Sequence, residues 1–152
     1  MQPQVQMIRQ TRNWLMTLIK DLTIEQLNEI PKGFNNNIIW NMAHLIAAQQ
    51  GVCYLRAGLT TTVDDAFFQE FKPGTRPERT IGADEAAVIK TMLFSTLDQL
   101  DLDLQKNMFK NYTGWETNYG VGMHNINDAL NFVPFHEGLH LGYVMALKRL
   151  IH

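Results

Sequence analysis

Apolar side chains recur at intervals of three and four in four long stretches of the chain, which is the period of an amphipathic α-helix. These stretches cover residues 4–21, 37–58, 83–106 and 125–150. In the first stretch, Arg9, Arg12 and Lys20 are assigned to faces away from the apolar stripe. Four amphipathic helices of this length predict an all-α protein with a four-helix bundle.

The ends of these stretches carry residues that start and stop helices. Thr23 and Gln26 form a capping-box pattern, so a short additional helix is expected to begin after Thr23. Gly58 is suited to close the second long helix, and Asn125 is a good N-cap for the last one. Pro134 lies inside the last helix, where it is expected to kink the axis or mark a second start.

Two long connections separate the helices. Residues 59–82 contain one short helical piece at 63–71, and they are long enough for a crossover rather than a tight hairpin. Residues 107–125 have no period and no convincing strand, although they contain several aromatic side chains. Such loops are often functional, but aromatic side chains that pin a loop onto the bundle explain the pattern equally well. We expect a single domain over residues 1–152.

Composition restricts the classes of function. Hydrophobic residues make up 45% of the 152 positions, which is enough for a core. A formal net charge of −2 argues against a surface for nucleic acid or an anionic membrane. No uncharged apolar run reaches the roughly 18 residues of a membrane span, and no signal-peptide pattern is present. The single cysteine excludes an internal disulfide and a cysteine zinc cluster. A cytoplasmic protein is expected.

Two histidines in the last helix are the strongest chemical signal. His136 and His140 are four residues apart, so both side chains leave the same helix face and can reach one divalent ion. His44 lies on the inward stripe of another helix, whereas His124 and His152 are each about 18 Å along the axis from the pair. The sequence therefore predicts a three-histidine metal site formed by His44, His136 and His140, with one open coordination position.

Glu137 creates an alternative to this prediction. Residues 136–140 match the H-E-x-x-H pattern of metalloproteases, in which the glutamate is the general base. The position six residues beyond the second histidine is Ala146, which cannot bind a metal, and only 12 residues follow the motif. Glu137 also projects sideways from the histidine pair, so its catalytic role is limited to contact with a metal-bound water. Cys53 faces away from His44 and is not assigned to the site.

Two motifs resemble the DinB/YfiT-like superfamily of metal-dependent four-helix bundles. Residues 40–46, Trp-Asn-Met-Ala-His-Leu-Ile, are similar to the family's second-helix segment with the first metal histidine. Residues 136–143, with His-x-x-x-His followed by Leu-Gly-Tyr, are similar to its last-helix motif. The resemblance covers nearly the whole chain. It implies that His44, His136 and His140 hold a zinc- or nickel-like ion, and that the protein is a homodimer.

The resemblance also implies an activity, because characterised relatives include transferases and isomerases that use low-molecular-weight thiols. The leading hypothesis is a thiol-dependent S-transferase acting on small molecules. A metal-hydroxide hydrolase with Glu137 as proton acceptor, and a non-catalytic metal- or ligand-binding stress-response module, remain as alternatives. Trp115 and Tyr119 are candidates for a substrate pocket, although core packing is favoured for each. Arg56 is assigned to an exposed face.

Overall fold

The computed structural model describes all residues from Met1 to His152. Six α-helices follow one another along the chain: α1 (Pro3–Ile19), α2 (Ile24–Asn28), α3 (Ile38–Gln49), α4 (Asp65–Phe71), α5 (Ala83–Gln105) and α6 (Ile126–Lys148). The long helices α1, α3, α5 and α6 form the predicted bundle, and α2 and α4 lie in the connections. None of the helices combines the length and the apolar character that crossing a lipid bilayer requires.

The helix ends confirm the predicted capping chemistry. Thr23 and Gln26 form both hydrogen bonds of a capping box at the start of α2. The side chain of Asn125 accepts a hydrogen bond from the backbone N–H of Asp128 at the start of α6. Pro134 is accommodated inside α6, which continues to Lys148. The local sequence therefore determines where these elements begin.

α1 and α6 are parallel neighbours. Near the N-terminal ends of both helices, the side chain of Gln4 donates a hydrogen bond to the side chain of Asn131 at 2.9 Å. At the other end, Lys148 donates a hydrogen bond to the carbonyl of Leu18. These two helices consequently run in the same direction through the bundle.

α3 and α5 are also parallel neighbours. Gln49 donates a hydrogen bond to the carbonyl of Thr96, and further along both helices the Tyr54 hydroxyl donates to Asp103 at 2.8 Å. Parallel neighbours cannot be joined by a tight turn, so residues 58–82 must return along the bundle. This confirms the long crossover between the second and third long helices.

The sequence predicted one α-helix over residues 37–58, but the structure shows that this stretch is not uniform. After α3, the chain forms a π-helical turn at Gln50–Tyr54 and a 3₁₀ turn at Leu55–Ala57, and it stops at Gly58 with a φ of 69°. Within the π-helical turn, the carbonyl of Val52 accepts a hydrogen bond from the Tyr112 hydroxyl at 2.8 Å. Apolar periodicity does not report such a change over a single turn.

The aromatic connection contains strands that the sequence did not predict. Trp115–Glu116 and Gly122–Met123 pair as a two-stranded antiparallel sheet. Gly120 has a φ of +82° in the intervening turn, a conformation that favours glycine. Two-residue strands give no alternation of apolar and polar positions, so the pattern along the chain does not indicate them.

The sequence placed Arg12 on a face away from the apolar stripe, and this prediction is wrong: Arg12 lies at the centre of the bundle. Its side chain is 0% exposed and donates hydrogen bonds to both carboxylate oxygens of Glu137, the shortest at 2.6 Å. It also donates to the backbone carbonyls of Leu93 and Leu45 and to the hydroxyl of Thr96. One side chain from α1 thereby contacts α3, α5 and α6. The spacing of residues 5, 8, 12, 15 and 19 would have indicated this inward position.

We expect Arg12→Met to lower the free energy of unfolding by about 3–5 kcal/mol, because Glu137 would remain buried without its partner. The double variant Arg12→Met/Glu137→Leu should lose less than Arg12→Met alone, since both buried charges are removed. Urea denaturation measures both values. Arg9→Met is the matched control one turn away: its ion pair with the exposed Asp98 contributes at most about 1 kcal/mol. A double variant less stable than Arg12→Met would contradict this prediction.

Candidate metal centre

Three histidines from two helices meet between α3 and α6. His44 is buried on α3, and His136 and His140 are half-buried on consecutive turns of α6. The ring centroids of His136 and His140 are 4.5 Å apart. The centroid of His44 lies 4.6 Å from that of His140 and 5.3 Å from that of His136. One ligand atom from each ring lies within 4.8 Å of the others. The predicted three-histidine cluster is therefore present.

His44 is held by backbone and aromatic contacts. Its Nδ1 lies 2.8 Å from the carbonyl oxygen of Phe71, the last residue of α4. A carbonyl can only accept, so Nδ1 carries the proton and Nε2 keeps the lone pair that a metal needs. Trp40, one turn earlier in α3, stacks on the imidazole at 4.6 Å with an interplanar angle of 11°. The crossover connection consequently sets the orientation of the first histidine.

His140 is oriented by Asn41. Its Nδ1 lies 2.8 Å from Oδ1 of Asn41, whose Nδ2 donates to the carbonyl of Asn37 at 2.7 Å. That carbonyl fixes the amide so that Oδ1 faces His140 as an acceptor. The proton of His140 is therefore on Nδ1, and Nε2 is again free. Metal-binding histidines are commonly held by an acceptor in this way. Sequence reasoning missed Asn41, although it lies three residues before His44.

The environment keeps the three imidazoles neutral. Burial lowers the pKa of His44 below its ordinary value, against an opposing effect of the hydrogen bond to Phe71. Burial, together with the neighbouring histidines, lowers the pKa of His136 to about 4 and that of His140 to about 3. Neutral imidazole is the form that binds a metal, so the cluster is ready for a cation at neutral pH.

The donor set fits a divalent ion. Two imidazole nitrogens bound to one tetrahedral ion at about 2.0–2.1 Å lie about 3.3–3.4 Å apart. The ligand atoms of the cluster lie within 4.8 Å of one another, so side-chain rotations that bring them closer would complete the coordination. No cysteine, aspartate, glutamate or fourth histidine belongs to the cluster. Three protein ligands and one open position are the usual arrangement of a catalytic site, whereas structural zinc sites are closed by four.

Glu137 is not brought to the three histidines. It follows His136 directly, but it leaves α6 in a different direction and is 0% exposed in its ion pair with Arg12. Burial raises the pKa of the Glu137 carboxyl, and the Arg12 guanidinium opposes that shift. The catalytic role of Glu137 stays a prediction, while its observed contacts are those of a residue that joins α6 to α1.

The other candidate groups lie away from the cluster. Cys53 is 0% exposed, and burial raises the pKa of its thiol to about 12. His124 is exposed near the start of α6, and His152 is exposed beside Glu29. None of the three belongs to the group of residues placed to hold a metal.

An apolar cavity of about 250 Å³ reaches the cluster. His136 forms part of its wall, together with Phe132 of α6 and with Trp115 and Tyr119 of the aromatic connection. Trp115 is half-buried and Tyr119 is 56% exposed, so neither is confined to the core packing that the sequence favoured. The aromatic connection thus lines a space that a small molecule can occupy beside a metal ligand.

The bundle and the cluster together define an all-α protein with a three-histidine candidate metal site and an adjoining cavity. The family model of the DinB superfamily matches residues 7–144, so the chain belongs to that superfamily. The match includes all three histidines of the cluster. A comparison with curated proteins gave no match to this chain.

We expect His44→Ala to reduce the metal content of protein purified without a histidine tag, from about one ion per chain to a small fraction. Two imidazoles on one helix hold a divalent ion less tightly than three. Elemental analysis after incubation with zinc or nickel measures the content. His124→Ala is the matched control, because His124 is exposed and outside the cluster. Equal metal content in wild type and His44→Ala would contradict the site.

We expect Asn41→Leu to weaken metal binding by about 10- to 100-fold, since His140 would lose the acceptor that orients its ring. Competition with a metal-binding dye measures the affinity. Asn36→Ala serves as control: it removes only a second acceptor of the Asn41 amide, which Asn37 still holds. Metal affinity in Asn36→Ala should be nearly unchanged, and an equal loss in both variants would argue against the role of Asn41.

Proposed function

We propose that this protein is a metal-dependent S-transferase, in which His44, His136 and His140 hold a zinc or nickel ion and a low-molecular-weight thiol is the nucleophile. The observation that carries this proposal is the donor set, because three neutral imidazoles without a fourth protein ligand leave one position for a substrate. An ion held there would supply a positive charge that lowers the pKa of a thiol.

The thiol has to come from a small molecule. Cys53 is fully buried, its thiol pKa is about 12, and it lies outside the cluster. No other cysteine is present in the chain. A reducing cytoplasm, the location expected from the single cysteine, supplies such thiols.

In the proposed reaction, the thiol loses its proton to solvent and its sulfur forms a bond to an electrophilic carbon, from which a leaving group departs with the electron pair. The chain's residues would contribute orientation and exclusion of water. Asn41 and the Phe71 carbonyl keep two imidazoles in the metal-binding tautomer, and Trp40 and Phe132 cover the site with apolar surface.

Transfer is preferred to hydrolysis because of the position of the carboxylates. Activation of water benefits from a general base close to the reacting atom. Both oxygens of Glu137, the residue that follows His136 in the sequence, accept hydrogen bonds from Arg12, and no carboxylate belongs to the cluster. No contact in the site favours a carboxylate-assisted hydrolase.

We also propose a homodimer, as the resemblance to the superfamily implied. Large apolar side chains exposed on α6 support it, because such side chains are commonly covered in assemblies. They are Phe135 at 51%, Leu139 at 52% and Met145 at 41% exposure.

The test is a panel of thiols and electrophiles, such as alkyl halides and epoxides, assayed with metal-loaded protein. We expect turnover that requires both the thiol and the metal, that is lost in His44→Ala and that is retained in His124→Ala. Product formation without a thiol would favour the hydrolase instead. Metal binding without turnover of any pair would contradict the proposal and favour a binding module.

A further inference from the structure

Two cavities adjoin along the end of the second long helix. The one that includes His136 has a volume of about 250 Å³, and a neighbouring one of about 490 Å³ includes Arg56. Both are lined by Ala48, Val52, Pro73 and Trp115. Because they share these walls, the two cavities are adjacent, and a molecule that occupies both follows one path from His136 to Arg56. The larger cavity is within the range of small-molecule sites, about 300–1,000 Å³, and the smaller one falls just below it.

The walls of this path are mainly apolar. Phe132 and Val133 line the part beside His136, and Leu55 and Phe68 line the part beside Arg56. Most of a bound molecule would therefore contact hydrocarbon, and burial of its own apolar surface would drive binding.

Arg56 supplies one positive charge at the outer end. Its guanidinium lies 4.4 Å from the ring centroid of Trp115, and it makes no hydrogen bond or ion pair with any side chain of the protein. Trp115 is fixed by a hydrogen bond from its Nε1 to the Tyr112 hydroxyl, which in turn donates to the Val52 carbonyl. A stacked, otherwise unpaired guanidinium is suited to receive a carboxylate through two hydrogen bonds.

The length of the path restricts its occupant. Ala48 lies on α3 and Arg56 lies eight residues further on, in the 3₁₀ turn that follows the π-helical turn, which at the α-helical rise corresponds to about 12 Å along the axis. An extended chain advances about 1.2 Å per bond, so roughly ten bonds span that distance.

We propose that the two cavities bind one elongated apolar molecule, with a carboxylate at Arg56 and the opposite end beside His136. The proposed function is needed only to call this molecule the electrophilic substrate, since the binding itself uses no metal chemistry. The site would thus select apolar acids over neutral molecules of the same length.

The probes are decanoate and 1-decanol, titrated calorimetrically below the micelle concentration into the full chain with and without zinc. We expect one decanoate per chain in both forms. Arg56→Gln keeps a polar side chain but removes the charge, so decanoate should bind about tenfold more weakly while the affinity for decanol is unchanged. Arg149→Gln is the matched control, because Arg149 is an exposed arginine remote from the cavities.

A second variant tests the path itself. Val52→Phe fills a wall shared by both cavities and should weaken decanoate and decanol alike. Three results would overturn the proposal: no decanoate binding to wild type, equal affinity in wild type and Arg56→Gln, or binding lost only in His44→Ala, which would assign the carboxylate to the metal. If decanoate binds as expected but no thiol transfer occurs, the proposed function fails and the binding site stands.

Discussion

The buried side chain of Arg12, which is paired with Glu137, joins the two helices that carry the candidate metal centre. The histidine cluster exists only if α3 and α6 keep a fixed separation, because its members come from both. Arg12 contacts Glu137 beside His136 and the carbonyl of Leu45 beside His44. A charge removed from water must keep its partners, so slippage of one helix past another would leave it unsatisfied. The same contact that costs desolvation energy therefore fixes the position of α3 relative to α6.

The protein's own groups organise the candidate metal centre. The tautomers of His44 and His140 are set by acceptors in the protein, and burial keeps the imidazoles uncharged. Three protonated rings packed at these distances would repel one another inside a low-dielectric core. The lowered pKa values that avoid this repulsion also make the nitrogens available as ligands. The stability of the bundle around the three rings and their ability to bind a cation thus have one physical origin.

The sequence reveals those parts of the structure that depend on local chemistry. Helix periodicity, the capping box at Thr23 and the four-residue spacing of His136 and His140 each involve neighbours along the chain. Arg12 was placed incorrectly because its charge outweighed its position on the apolar stripe, where a distant carboxylate compensates it. The two-residue strands are too short to show an alternation of apolar and polar positions, and the π-helical turn changes the helix over a single turn only. Asn41 acquires its role only when α6 packs against α3.

His44 donates its orienting hydrogen bond to the main-chain carbonyl of Phe71 and not to a side chain. The carbonyl is there whichever residue occupies position 71, so that hydrogen bond places a demand on the route of the backbone and none on chemical identity. The crossover between α3 and α5 is accordingly a structural part of the metal centre. A shortened crossover would disturb the first ligand even with every histidine intact.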